Sequence, residues 1–268
     1  FEACRAVAEA VHAASPETPT LVTTDLHTAR ANNATEYIDE LCPLVNLVEN
    51  SREHCSDYPP WSWKDTRPDY SAAGYSGRRL WWYQSCMSEG CWQGVDHSEG
   101  CDRTPAHWPC RSGWPSYMID APAVMNRAMS WVSYLYGITG ELYWAVNFAD
   151  GCTRDNPLCA GDFPAPGAWG MDSWRDQLVM GGNGDGQLTY PGRPDTIGGE
   201  TFVPVASVRL KHIRDGMEDL EYVYLLEELA GRERALAFVR ELATNTFTYT
   251  RNVSLVADVR ERLGAAVE

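Results

Sequence analysis

Four short apolar runs, each followed by a longer polar or helical stretch, constrain the fold more than any other feature. They are residues 18–25 (TPTLVTTD), 44–49 (LVNLVE), 79–85 (RLWWYQS) and 141–147 (ELYWAVN). Each has the length of a strand and is too short for an ordinary helix. Helical spacing lies between and around them: at 2–14, at 33–41, in a short piece within 70–79, and at 121–136. For the last of these Asp120 is the expected N-cap, Pro122 fits the first turn and Gly137 the C-cap. Three more helical runs follow at 205–229, 233–244 and 254–266, the first with a possible break at Asp215–Gly216. Alternating strands and helices mean parallel strands joined by helical crossovers. Four strands do not close a barrel, which takes eight, but they suit either an open sheet or one part of a barrel. Trp and Tyr in the last two of these strands, RLWWYQS and ELYWAVN, followed by long loops, fit the active face of a barrel.

The 268 residues and 44% hydrophobic content allow a substantial core, and disorder is not expected. A formal charge of −15 argues against nucleic acid, whose phosphates call for a basic face. The acidic excess reads as a solvated surface. No run of about eighteen apolar residues occurs, so no membrane span is expected. Eleven Trp and thirteen Tyr are many for this length. Most belong in a core, but flat rings also stack on sugar rings, and the excess favours a carbohydrate partner.

Nine cysteines are present, and six of them, Cys86, Cys91, Cys101, Cys110, Cys152 and Cys159, fall within loop-like sequence. None has zinc-ribbon spacing, so disulfides and an oxidising compartment are the expectation. Cys152 with Cys159 is one candidate bridge; pairings among the other four stay open. Two sequons, Asn33-Ala34-Thr35 and Asn252-Val253-Ser254, agree with a secreted glycoprotein. The opening FEACRAVAEAVHAA carries no leader and reads as the middle of something longer.

The tract GNGDGQLTYPG, residues 182–192, resembles the start of a calcium loop, but the twelfth position from Asn183 is Pro194, where a Glu is required. It reads instead as a tight turn that delivers Tyr190 to the rim of a site. His97, Cys101 and His107 lie close in sequence, yet those cysteines are better used in disulfides. Neither a metal nor a cofactor is expected, and no nucleophile elbow, HExxH or P-loop occurs.

The tract continues into PVASVRLKHIRDGMEDLEYVYLLEEL. Gly184, Asp185, Gly186, Leu188 and Tyr190, then Ser207, Arg209, Leu210, Arg214, Asp215, Gly216, Glu218, Asp219, Glu221 and Tyr222, resemble the C-terminal module termed domain of unknown function 4091. That module closes proteins of glycoside hydrolase family 123 and their relatives. LWWYQSC and YMIDAPAVMNRAMSWVSYLYGITGELYW resemble the family's upstream elements, whereas the cysteine-rich stretch 86–110 departs from its pattern.

The resemblance implies an α/β fold: the C-terminal part of a (β/α)8, TIM-like barrel over 1–180 with a disulfide-rich loop insertion, then a closing module with a tight turn and helices over 181–268. It also implies substrate-assisted hydrolysis of N-acetylhexosaminides. In that chemistry a Glu protonates the leaving oxygen, and an adjacent Asp orients the substrate's own acetamide. Asp39–Glu40 is an Asp–Glu pair, but by register it follows the catalytic strand and reads as a helix or turn surface pair. The catalytic pair is therefore expected upstream of Phe1, on the N-terminal remainder of the same protein. The wall of a sugar site is expected from Asp25, Trp82, Tyr83, Asp120, Trp144, Asn147 and Tyr190, with His27 a weaker candidate. Arg127 is expected in a core ion pair, and Arg214, Asp215, Glu218 and Asp219 in tying the C-terminal helices to the barrel. Two alternatives stay open: an inactive barrel serving as a structural or sugar-binding module of an extracellular or cell-surface assembly, and a glycosidase of different sugar specificity.

Overall fold

The computed structural model describes residues 1–49, 65–89, 113–148, 174, 178–179 and 182–268. Helix α1 (Glu2–Ala14) is alanine-rich and stops at Ser15, which precedes a proline and adopts extended backbone. Strand β1 (Leu21–Val22) leads through Asp25 into α2 (Leu26–Ala31). There follow β2 (Glu40–Leu41), the one-turn helix α3 (Val45–Val48), α4 (Arg67–Ala72), β3 (Trp81–Tyr83), α5 (Cys86–Glu89), α6 (Met125–Tyr136) and β4 (Gly140–Leu142).

The strands run parallel in chain order. β1 pairs with β2 in the register Leu21 to Glu40 and Val22 to Leu41. Parallel bridges from Leu41 to Leu80 and from Leu44 to Tyr83 attach β3 to β2. β3 pairs with β4 from Trp81 and Gly140 to Tyr83 and Leu142. The mixed α/β class is as expected, and every strand of this array has a helical connection to the next. The carboxyl ends of all four strands therefore share one edge.

Helix α6 separates this sheet from the C-terminal helices. Nine of its residues, from Met125 to Tyr134, are buried, on every side of the helix, as befits an element packed on two faces. On the sheet side the Trp82 indole donates to Ser133 Oγ at 2.9 Å and packs on the Tyr136 ring. On the far side lies α8 (Val208–Ala230), capped by Ser207, whose hydroxyl accepts from the Leu210 amide. α8 runs unbroken through Asp215–Gly216. A Cβ at Gly216 would fall 2.8 Å from the Arg127 carbonyl, so the glycine serves close approach of α6 and α8 rather than a helix break. α9 (Arg232–Leu242) and α10 (Val253–Val267) pack on α8. Between β4 and α8 lie β5 (Leu178–Val179) paired with β6 (Gly182–Asn183), β7 (Thr189–Gly192), α7 (Pro194–Ile197) and β8 (Val203–Ala206), with β7 and β8 antiparallel.

Three expectations need correction. Residues 44–49 form a helical turn, not a strand: β2 occurs earlier, and Leu44, Val45 and Val48 are all buried, a pattern without period that a strand and a buried turn share. The helix expected at 33–41 lies at 26–31, because Asp25 caps it at once and Asn33 ends the turn with φ of 51°. α6 starts at Met125 with Val124 as its N-cap, so Asp120 caps nothing there, although Gly137 does end the helix in left-handed conformation. Among the described residues Cys4 and Cys42 are free thiols, and no disulfide joins two of these residues. Cys86 is disulfide-bonded; its candidate partners Cys91, Cys101 and Cys110, like Cys152 and Cys159, lie outside the described residues, as do His97 and His107. The sequon Asn33 is exposed, and Asn252 is exposed while its side chain caps α10. No helix among the described residues is long and apolar enough to cross a membrane.

Candidate functional site

The shared carboxyl edge of the strands carries a cluster built around Asp185, which the tight turn at 183–187 pushes inward. Its carboxylate is 2% exposed and takes three hydrogen bonds: from the Cys86 amide beyond β3 (2.9 Å), the Tyr143 hydroxyl beyond β4 (3.0 Å) and the Trp144 indole (3.1 Å). Burial raises the Asp185 pKa, and these donors offset only part of that rise. Gly186 closes the turn with φ of 71°, and a Cβ there would stand 2.3 Å from the Trp144 ring. Its amide donates to the Tyr143 hydroxyl at 2.8 Å. Trp144 is thus held flat against the turn by its own indole hydrogen bond and by the absence of a side chain beneath it.

A buried guanidinium fixes the turn from behind. Arg209 donates to the carbonyls of Tyr117 (2.6 Å), Gly184 (2.7 Å) and Gln187. Tyr117 meets Tyr143 edge-on at 5.2 Å, and its hydroxyl donates to Glu141. Burial pushes the Glu141 pKa up to about 7, against the lowering effect of that hydrogen bond. A carboxyl that is half-ionised at neutral pH can give or take a proton. Cys42, at the end of β2, is pushed up to about 12 by burial and by the Glu141 charge, which keeps it an unreactive thiol.

Two buried amides complete this edge. Asn46 in α3 is 0% exposed and Gln84 after β3 is 1% exposed. Neither amide group atom of Asn46, nor the Gln84 amide nitrogen, has a hydrogen-bond partner. The Leu44–Tyr83 bridge places the two segments side by side. An unmatched buried amide costs about 1–3 kcal/mol unless an ordered water meets it.

The expected sugar-wall residues are distributed unevenly. Trp144 belongs to the cluster. Tyr83 is half-buried in β3, and exposed Asn147 bridges to Gln187 beside the turn. Asp25 caps α2, accepting from the Thr28 amide and hydroxyl. His27 stands 3.7 Å from the Asp69 carboxylate. Trp82 is fully buried and faces the helix layer, so it is core. Asp120 accepts from the Asn183 side chain at 2.9 Å on the outer side of the turn. Tyr190, in β7, stacks on Trp174 at 4.8 Å beside a separate groove. Asp39 of the Asp39–Glu40 pair is committed to structure: burial would raise its pKa, but hydrogen bonds from Thr20 and His12 hold it below the usual carboxylate range. Sequence reading missed Asp185 as a buried acceptor, Glu141, Tyr117, Asn46 and Gln84. Only Asp185 carried a signal, an acid flanked by two glycines. Among the described residues no three His, Cys, Asp or Glu side chains converge as metal ligands would.

The family model for glycoside hydrolase 123, catalytic domain, matches residues 96–226, just under half of the chain. The stretch includes Tyr117, Glu141, Tyr143, Trp144, Asp185 and Arg209. Over it the chain is glycoside hydrolase 123-like, and the match supports a glycoside hydrolase. Among solved structures, a family 123 glycoside hydrolase from Clostridium perfringens, described for its hydrolysis of glycolipid glycans, is similar at 15% identity with a TM-score of 0.45. The similarity covers 92% of this chain and 34% of that one, so the chain spans about a third of that protein. No curated protein matches the chain.

Proposed function

We propose that this chain is the sugar-binding portion of a secreted glycoside hydrolase that acts on N-acetylhexosaminides by a substrate-assisted, retaining mechanism. In this reading the four parallel strands are part of a (β/α)8 barrel, and the residues after 181 form a closing module of the 4091 kind. The single observation that carries it is the coincidence of the family match with the Asp185 cluster at the carboxyl edge of the strands. Barrel enzymes place their sites at that edge.

In this reading the half-buried Trp144 ring beside the Asp185 turn lies along the apolar side of a pyranose. The catalytic Asp–Glu pair belongs to sequence upstream of Phe1. Its Glu gives a proton to the leaving oxygen as the glycosidic bond breaks. The substrate's acetamide oxygen bonds to the anomeric carbon, while the Asp holds the acetamide N–H. Water then opens the oxazoline intermediate and restores the Glu proton. The sequons and the disulfide-bonded Cys86 support the oxidising compartment.

The test uses the full-length protein and p-nitrophenyl N-acetyl-β-galactosaminide and glucosaminide. Nitrophenol release with retained anomeric configuration is expected, replacing the upstream Glu by Gln should abolish it, and Trp144→Ala should lower kcat/KM about tenfold or more. Release that survives the Glu→Gln change would remove the mechanism. The second reading, an inactive sugar-binding barrel, is favoured by the cysteine-rich stretch 86–110, which departs from the family pattern, and by the sequons. Saccharide binding without nitrophenol release would select it.

A further inference from the structure

Helix α1 is amphipathic, yet it buries almost nothing. Ala3, Cys4, Val7, Ala8 and Val11 recur at helical spacing along one side, and of these only Ala8 is buried. Val7 is 62% exposed, and the Cys4 thiol is exposed. Ala3, Cys4, Val7 and Ala8 form one wall of a groove of about 360 Å³. Thr20, the two residues of β1 and Tyr37 line the rest of it.

The outer edge of β1 meets the same groove. On the inner edge the Thr20 carbonyl accepts from the Glu40 amide and the Val22 carbonyl from the Cys42 amide, both at 3.0 Å. Successive residues of a strand turn their backbone groups to opposite edges, so the Leu21 amide and carbonyl point outward. No hydrogen bond among the described residues reaches either group. The far side of the sheet differs. Just after β4, the Val146 carbonyl accepts from the amides of Leu188 (2.7 Å) and Thr189 (3.0 Å). Uncovered apolar side chains and unpaired strand groups in one groove are satisfied together by another strand. A lipid chain or small apolar molecule would cover Val7 but leave the Leu21 groups unmatched. The connections indicate where such a strand comes from. α2, α4 and α6 each precede a strand that pairs in parallel with the one before it. α1 holds the same place before β1, and a crossover helix packs back on both strands that it joins.

We propose that the groove between α1 and β1 receives an extended segment of this same protein, from upstream of Phe1, that adds to the outer edge of β1 as another parallel strand. Its side chains fill the space beside Cys4 and Val7, and its backbone pairs with the Leu21 amide and carbonyl. Parallel pairing puts its carboxyl end at the edge that carries the Asp185 cluster. The inference rests on the barrel reading above and deepens it, because it assigns β1, among the sheet's two sides, as the one that joins the rest of the protein.

The experiment is hydrogen exchange, thiol labelling and photo-cross-linking of the full-length protein. The Leu21 amide should exchange about a hundredfold or more slower than an unstructured amide. After mild reduction, Cys4 should react with N-ethylmaleimide about a hundredfold or more slower in the native than in the denatured protein. Photo-leucine in place of Val7 should cross-link to a peptide from upstream of Phe1. A Leu21 amide that exchanges at the unstructured rate, or a Cys4 labelled as fast as in the denatured protein, overturns the proposal. So does a cross-link between two copies, with protection that vanishes on dilution, because it gives the groove to a second copy. None of these readouts involves hydrolysis. A covered groove in a protein that releases no nitrophenol keeps this inference and refutes the catalytic reading, and a bare groove in an active enzyme does the reverse.

Discussion

The Asp219 junction between the C-terminal helices and the Asp185 junction at the strand ends are both buried carboxylates surrounded by donors, yet they are built to opposite ends. Asp219, on α8, accepts from Arg127 of α6 at 2.6 Å, from the Trp131 indole at 3.1 Å and from Arg260 of α10 at 2.7 Å. Each charge there meets its opposite, and three helices are locked together. Asp185 meets only neutral donors, and beside it stand a Glu141 carboxyl perturbed by burial and the unmatched amides of Asn46 and Gln84. The first junction spends its hydrogen-bonding capacity on the fold. The second leaves the amides of Asn46 and Gln84 without a protein partner, and it is the region the family match and the strand ends share.

The comparison breaks first at Asp219. Asp219→Ala leaves Arg127 half-enclosed without its counter-charge, and chemical denaturation should show a loss of about 3–5 kcal/mol. A loss below about 1 kcal/mol would erase the distinction drawn here. Next comes Glu141→Gln. A carboxyl whose pKa rises to about 7 on folding supports stability fully below its unfolded value, and that support is lost as pH rises through 7. The variant should therefore be more stable than wild type by at most about 3 kcal/mol at pH 8, with the gap shrinking below about 1 kcal/mol at pH 5. A gap independent of pH would mean that Glu141 is not the perturbed group. The smallest effect is expected at Arg262, which pairs with Glu241 and Asp258 on the outer surface of α10. Arg262→Ala should leave the thermal midpoint unchanged within error, because exposed pairs contribute little.

What could be read from sequence followed the range of the interactions involved. α1 falls on the expected residues and α10 within one residue of them, because alanine content, caps and helical period are local signals. The Arg127–Asp219 pair was within reach for a related reason: charged residues on otherwise apolar helices must find partners. Residues 44–49 misled because a fully buried run has no period to distinguish strand from turn. Trp82 misled because strand alternation does not say which face of a parallel sheet meets the helices.

The Asp185 hydrogen bonds reach back 41, 42 and 99 positions along the chain. None can form until β3, β4 and the tight turn have already been brought together, at the entropic cost of closing those loops. Native contacts of such sequence separation slow folding, and the Asp219 junction, whose hydrogen bonds span 41, 88 and 92 positions, carries a similar cost. In a nascent or partly denatured molecule, the helices, whose own backbone bonds are local, would thus give a native-like circular dichroism spectrum before the Asp185 cluster forms.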